Sequence, residues 1–250
     1  MFGAIRNPQG ENLDYTFHPG HDGSKTIAVL GHGVTGNKDR AFVVALAEGL
    51  AVAGIPALRF SFSGNGASEG RFVDSTITKE GGDLGAVLDA LKGHTLGYVG
   101  HSMGGAVGVL RASQDARIAF LVSLAGMVHT GDFAQREFGM VKPGEGFMWD
   151  DEACPLSQAY MDDLAGIGSV LDRTASIRVP WLLVHGSEDD VVPLQDSRDI
   201  VARANNPVEL CEIPGAGHVF SGEATAVMVE KVVGWVREQI HSSRTGSSTR

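Results

Sequence analysis

Apolar positions along this chain follow two rhythms that alternate. "TIAVLGHG" (26–33) and "IPALRFSFSG" (55–64) are short, dense apolar runs ending in glycine, while "RAFVVALAEGLAVAG" (40–54) between them has a helix-like pattern that also stops on glycine. The first kind predicts a buried strand and the second a helix. The alternation continues with a helix over 76–93, which contains a glycine pair, and a strand over "LGYVG" (96–100). A helix is expected from just after Ser102 to about Ser113, then strands over 118–126 and 179–187. A helix over 194–205, a strand over 208–215 and a helix over 222–240 complete the pattern. Strands that read as near-continuous apolar runs between helices imply a mostly parallel central sheet flanked by helices on both faces, an α/β fold.

Only the span from Met127 to about Ser176 breaks the rhythm. It carries Met127, Phe133, Phe138, Met140, Phe147, Met148, Trp149 and Tyr160 among acidic residues, with weak periodicity. The expectation is a small cap inserted between two strands of a single domain covering residues 1–240. The closing "HSSRTGSSTR" (241–250) is small and polar and is expected to be a disordered tail.

Composition narrows the function. The 250 residues are 43% hydrophobic and 20% charged, enough material for one soluble domain with a sizeable core. The formal net charge of −10 argues against a nucleic-acid partner. No apolar run approaches the roughly 18–20 residues of a membrane span, so no stable membrane association is expected. The opening stretch lacks the apolar core of a signal peptide, and Cys154 and Cys211 stand far apart without metal-type spacing. A cytoplasmic location and no cofactor or metal are the expectations.

In an open parallel sheet, ligands bind outside the carboxyl ends of the strands. Four glycine-rich sequences fall at such ends: "GHGVTGNK", "GHSMGG", "HGSEDDVVP" and "GAGHVF". Gly100-His101-Ser102-Met103-Gly104 is a G-x-S-x-G between a strand and a helix, where a tight turn throws a serine clear of the backbone. Serine needs a base to take its proton and a third group to orient that base. His218, in a short glycine-rich loop, is the candidate base, and Asp189 the candidate acid, with Asp190 and Glu188 as immediate rivals. His32, His101 and His185 sit inside motif turns and read as structural. Oxyanion donors are expected from the backbone N–H groups of Met103, at the head of the helix, and Val34, in the loop after the first of these strands. The cap residues Phe133, Met148 and Trp149 are candidates for shaping the substrate pocket.

Taken in order, "HGVTGNKDR", "FSFSGNGASEGRF", "GHSMGGA", "HGSEDDVVP" and "GAGH" resemble the motifs of serine hydrolases of the α/β-hydrolase superfamily, over about residues 26–240. The resemblance is to cinnamoyl and feruloyl esterases, monoacylglycerol-lipase-like enzymes and aminopeptidase-like proteins. "HGVTGNK" with "SGNGASEG" leans toward the cinnamoyl-esterase-like branch, whose members carry a comparable cap. It implies the α/β-hydrolase fold, a Ser102–Asp189–His218 triad and a small-molecule ester substrate; the short cap, with its methionines and flat rings, leads to the expectation of small aryl or short-to-medium acyl groups. An aminopeptidase or amidase is the rival, although proline-specific aminopeptidases of this fold usually carry Trp where Met103 stands. A carbon–carbon bond hydrolase and a non-catalytic ligand-binding protein are further alternatives. A dehalogenase would need Asp at Ser102.

Overall fold

The computed structural model describes residues 2–21 and 24–246. In chain order it forms β1 (Ile5–Arg6), β2 (Asn12–Leu13), β3 (Tyr15–His18), β4 (Thr26–Gly31), α1 (Ala41–Val52) and β5 (Ala57–Phe60). Then come α2 (Ile77–Ala90), β6 (Thr95–His101), α3 (Met103–Ala112), β7 (Ile118–Leu124), α4 (Thr130–Phe138) and α5 (Gln158–Ile167). The chain continues through β8 (Trp181–Gly186), α6 (Leu194–Arg203), β9 (Val208–Ile213) and α7 (Glu223–Gly246). Strands β3-β5-β4-β6-β7-β8-β9 make a seven-stranded sheet, parallel throughout except for β3, which runs antiparallel to β5. This is the α/β-hydrolase fold.

The dense apolar strands are explained by two cores, one on each face of the sheet. Successive strand residues point to opposite faces. In β4, Ile27 and Val29 join the core beneath α2 and α3, whereas Ala28 and Leu30 join the core beneath α1 and α7. β8 does the same, with Trp181 and Leu183 on the first face and Leu182 and Val184 on the second. The N-terminal hairpin β1-β2 and the antiparallel β3 are absent from the sequence expectation. Strand β5 ends at Phe60 rather than Gly64, because the next residues turn away to bond elsewhere: Ser63 N–H donates to Asp83 at 2.7 Å and Gly64 has φ +79°. The last helix runs through Gly246, into the segment expected as a tail; residues 247–250 lie outside the described residues.

The segment between β7 and β8 holds α4, α5 and two short 3₁₀ turns, Met148–Asp150 and Leu171–Ser176. Its buried side chains Phe133, Phe138, Met148, Tyr160 and Leu164 belong to the same core as the sheet face beneath α2 and α3. The cap therefore docks by sharing the sheet's core rather than building its own. Ser157 caps α5 by accepting from Tyr160 N–H at 3.1 Å.

Candidate active site

Ser102 sits between the end of β6 and the start of α3 with φ 53° and ψ −119°, a conformation costly for a residue with a side chain. Backbone bonds hold it there. Its N–H donates to Leu124 O at 2.9 Å, and its carbonyl accepts from Gly105 N–H at 2.8 Å and Met127 N–H at 3.0 Å. The fence of glycines is steric. A Cβ on Gly100 would lie 2.2 Å from the carbonyl oxygen of Gly104, and one on Gly104 would lie 2.5 Å from that of His32. Strand and helix can approach this closely only if both positions lack side chains.

His218 Nδ1 lies 2.8 Å from Asp189 Oδ2. Asp189 Oδ1 accepts from the amides of Val191 and Val192 at 3.0 and 2.9 Å. His185 Nε2, which lies 2.9 Å from Val192 O, is also 3.3 Å from Asp189 Oδ2. Burial of the Asp189 carboxyl would by itself raise its pKa, but the bonds from His185, His218 and the Val192 amide outweigh burial and hold it well below the usual carboxylate range. The carboxylate side chain is completely buried, while its rivals Glu188 and Asp190 are exposed. An anion fixed at Nδ1–H leaves Nε2 of His218 as the acceptor nitrogen.

Ser102 and His218 line one cavity of about 260 Å³, together with Val34, His101, Trp149 and Val219. Ser102 Oγ is buried and makes no hydrogen bond within the protein. Among the described residues, the amides of Val34 and Met103 likewise have no acceptor. The loop carrying Val34 is held by His32, whose Nε2 accepts from Phe62 N–H at 3.0 Å while Nδ1 lies 2.8 Å from Gly33 O. Burial lowers the His32 pKa to about 4, so the ring is a neutral strut at ordinary pH.

A sequence profile of the alpha/beta hydrolase family matches residues 28–231. The chain belongs to that family. An uncharacterized protein of Mycobacterium tuberculosis is 29% identical over 222 residues, covering 86% of this chain and 71% of that protein. The esterase LipC of Mycobacterium tuberculosis is 27% identical over 118 residues, covering 38% of this chain and 29% of LipC. Among solved structures, Est1E from Butyrivibrio proteoclasticus with ferulic acid bound superposes with a TM-score of 0.83 at 25% identity, over 95% of this chain and 99% of that one.

Within this α/β hydrolase the pocket candidates separate. Trp149, itself at φ 48°, lines the main cavity. Its ring packs edge-on to Phe138 at 4.9 Å and its Nε1–H donates to Glu137 at 3.1 Å. Met148 lines a second, smaller chamber instead. Phe133 lines neither. Only 2% exposed, it packs against Phe138 in the core, so its expected pocket role is corrected to docking the cap. Met140 points fully into solvent.

The sequence reads His101 as structural without giving its partner, and it does not single out Glu80. His101 Nε2 lies 2.9 Å from the carbonyl oxygen of His218, and the two rings are 4.7 Å apart. The signal was present, since His101 precedes the serine, but nothing in the pattern says which loop it touches. Glu80, in the first turn of α2, is completely buried in the wall of the second chamber. In sequence it reads only as an acidic residue near a helix start.

Proposed function

We propose that this α/β hydrolase cleaves carboxylic esters with small aryl or short-to-medium acyl groups through an acyl-enzyme on Ser102. The Asp189–His218 pair on the cavity that holds Ser102 carries this reading. In the proposed cycle, Nε2 of His218 takes the Ser102 proton as Oγ attacks the ester carbonyl. Asp189 keeps the ring in the Nδ1–H tautomer and stabilises the imidazolium that forms. The tetrahedral oxyanion is received by the unengaged amides of Met103 and Val34, the first of which also lies at the positive end of α3. His218 then gives its proton to the leaving alcohol, and water attacking the acyl-enzyme regenerates Ser102 by the same relay. The esterase LipC and the ferulic-acid-bound Est1E among the similar proteins support an ester over an amide.

The test combines a fluorophosphonate probe with a substrate panel: p-nitrophenyl esters of rising acyl length, methyl ferulate and an aminoacyl anilide. Wild-type protein should label and hydrolyse the short esters or the ferulate. Ser102→Ala should do neither. Preference for the anilide over every ester would favour the aminopeptidase reading, and absence of labelling would favour a non-catalytic one.

A further inference from the structure

The main cavity and the smaller chamber meet at Val34 and Thr35, two residues that line both. The smaller chamber, about 10 Å³, has room for one water-sized group. Met103, Met148, Glu80 and Tyr160 are among the residues that line it. Neither carboxyl oxygen of Glu80 has a hydrogen-bond partner in the protein, although the residue is completely buried. Buried polar groups are nearly always paired, because an unpaired one forfeits its hydration without return. The nearby groups do not relieve it. Tyr160 Oη donates only to the weakly accepting Met103 Sδ at 3.5 Å, and Ser75 and Asn65 donate to the carbonyl of Ser63.

The charge state selects the partner. Burial, then the neighbouring Asp83 and Asp163, raise the Glu80 pKa well above its ordinary value. Lys79 opposes this, but its ammonium is 2.9 Å from Glu11. A neutral carboxyl both donates and accepts, which suits a hydroxyl and not an ammonium.

The chamber also has a side. His218 must reach the leaving oxygen, so the alcohol portion of the ester belongs in the main cavity with His218 and Val219. The smaller chamber borders the proposed oxyanion donors Val34 and Met103 but contains no residue of the His218 loop. On the proposed mechanism it faces the acyl portion.

We propose that this chamber is an acyl-side subsite in which Glu80 hydrogen-bonds a hydroxyl group close to the ester carbonyl, so that the enzyme selects short hydroxyacyl esters. The inference rests on the ester-hydrolase reading above. A site built to hydrogen-bond a substrate hydroxyl rejects the analogue lacking it, because its own polar group is then left unpaired.

Initial rates by pH-stat decide it. Ethyl lactate is compared with ethyl propionate, ethyl 3-hydroxybutyrate with ethyl butyrate, and 2-hydroxyethyl butyrate with ethyl butyrate. In the wild type, kcat/KM for at least one hydroxyacyl ester should exceed that of its plain partner by about tenfold or more. The hydroxyl on the alcohol side should give no such gain. In Glu80→Leu the hydroxyacyl ratio should fall to about one, while Glu80→Gln, which keeps a donor and an acceptor, retains most of it. Should Glu80→Leu not fold, product inhibition of the wild type supplies the second measure: 3-hydroxybutyrate should inhibit more strongly than butyrate. Wild-type ratios of one or below for both acyl pairs, or a preference confined to 2-hydroxyethyl butyrate, would overturn the subsite while leaving ester hydrolysis standing. Failure to hydrolyse any ester would overturn the reading beneath it.

Discussion

His101 Nε2 reaches across 117 positions of sequence to the carbonyl oxygen of His218 at 2.9 Å, tying the residue before the candidate nucleophile to the loop that carries the candidate base. Burial, and then the neighbouring His218, depress the His101 pKa to about 3, so the ring is neutral and its Nε2–H is the donor. The expected role of His101 is to position His218. Replacing His101 with Leu should lower kcat by about 10–100-fold, since misplacing a base by about 1 Å has consequences of that size, with KM changing much less. His101→Gln, which can donate to the same carbonyl, should recover most of the loss. Steady-state kinetics of both variants check this; a purely structural role would lower the amount of folded enzyme without changing kcat per labelled active site.

The geometry also ranks the acids. Asp189 is buried against His218 and His185, and Asp190 is exposed. Asp189→Asn should cost about 10⁴-fold in kcat by favouring the wrong imidazole tautomer, whereas Asp190→Asn should leave kcat within about threefold. Ser102→Ala combined with His218→Ala should be little worse than either alone, because the groups act as a unit. Kinetics on p-nitrophenyl butyrate with active-site titration settle the ranking.

Glu80 gives a pH-dependent stability with a definite sign. Its folded pKa is raised, so above the ordinary value of 4.5 the unfolded chain releases a proton that the folded chain still holds. Stability is therefore lost as pH rises from about that value toward the raised pKa. Glu80→Gln stays neutral in both states and escapes that loss. Its Tm relative to wild type should accordingly increase from pH 5 to pH 8, as measured by thermal scans across that range. A difference independent of pH would mean that Glu80 is ionised in the folded protein.

The two cap aromatics should behave oppositely. Phe133 is buried against Phe138, so Phe133→Ala should destabilise by about 3–5 kcal/mol without altering the ranking of acyl chains. Trp149 is 44% exposed and lines the cavity with Ser102. Trp149→Ala should leave Tm nearly unchanged and shift the kcat/KM profile across aryl and alkyl esters. Denaturant unfolding and the ester panel, run on both variants, distinguish the roles.

Much of the architecture is legible along the chain because its causes are local. Continuous apolar runs such as Thr26–Gly31 and Trp181–Gly186 can be satisfied only by a strand covered on both faces. The glycines around Ser102 report a tight strand-to-helix approach, and parallel connectivity places successive motif loops at one end of the sheet. Ser102, Asp189 and His218 stand where those rules put them.

The tertiary structure decided what depends on which buried surface a side chain meets. Apolar periodicity records that a residue is buried, not whether its neighbour is core or cavity, so Phe133 and Trp149 read alike until the cap is folded. The pairing of β3 with β5 is a contact between distant segments with no turn signal to announce it. Glu80 likewise looks like an ordinary acidic residue in the first turn of a helix. Only the packing of α2 beneath the cap removes it from water, leaves both oxygens unpaired and brings them beside Tyr160 and Met103. Sequence alone determined the frame and where the three candidate groups stand on its rim, because those positions follow from short-range sterics and strand order. The shape and polarity of the space beside them came from side chains far apart in the chain, whose meeting is set by packing.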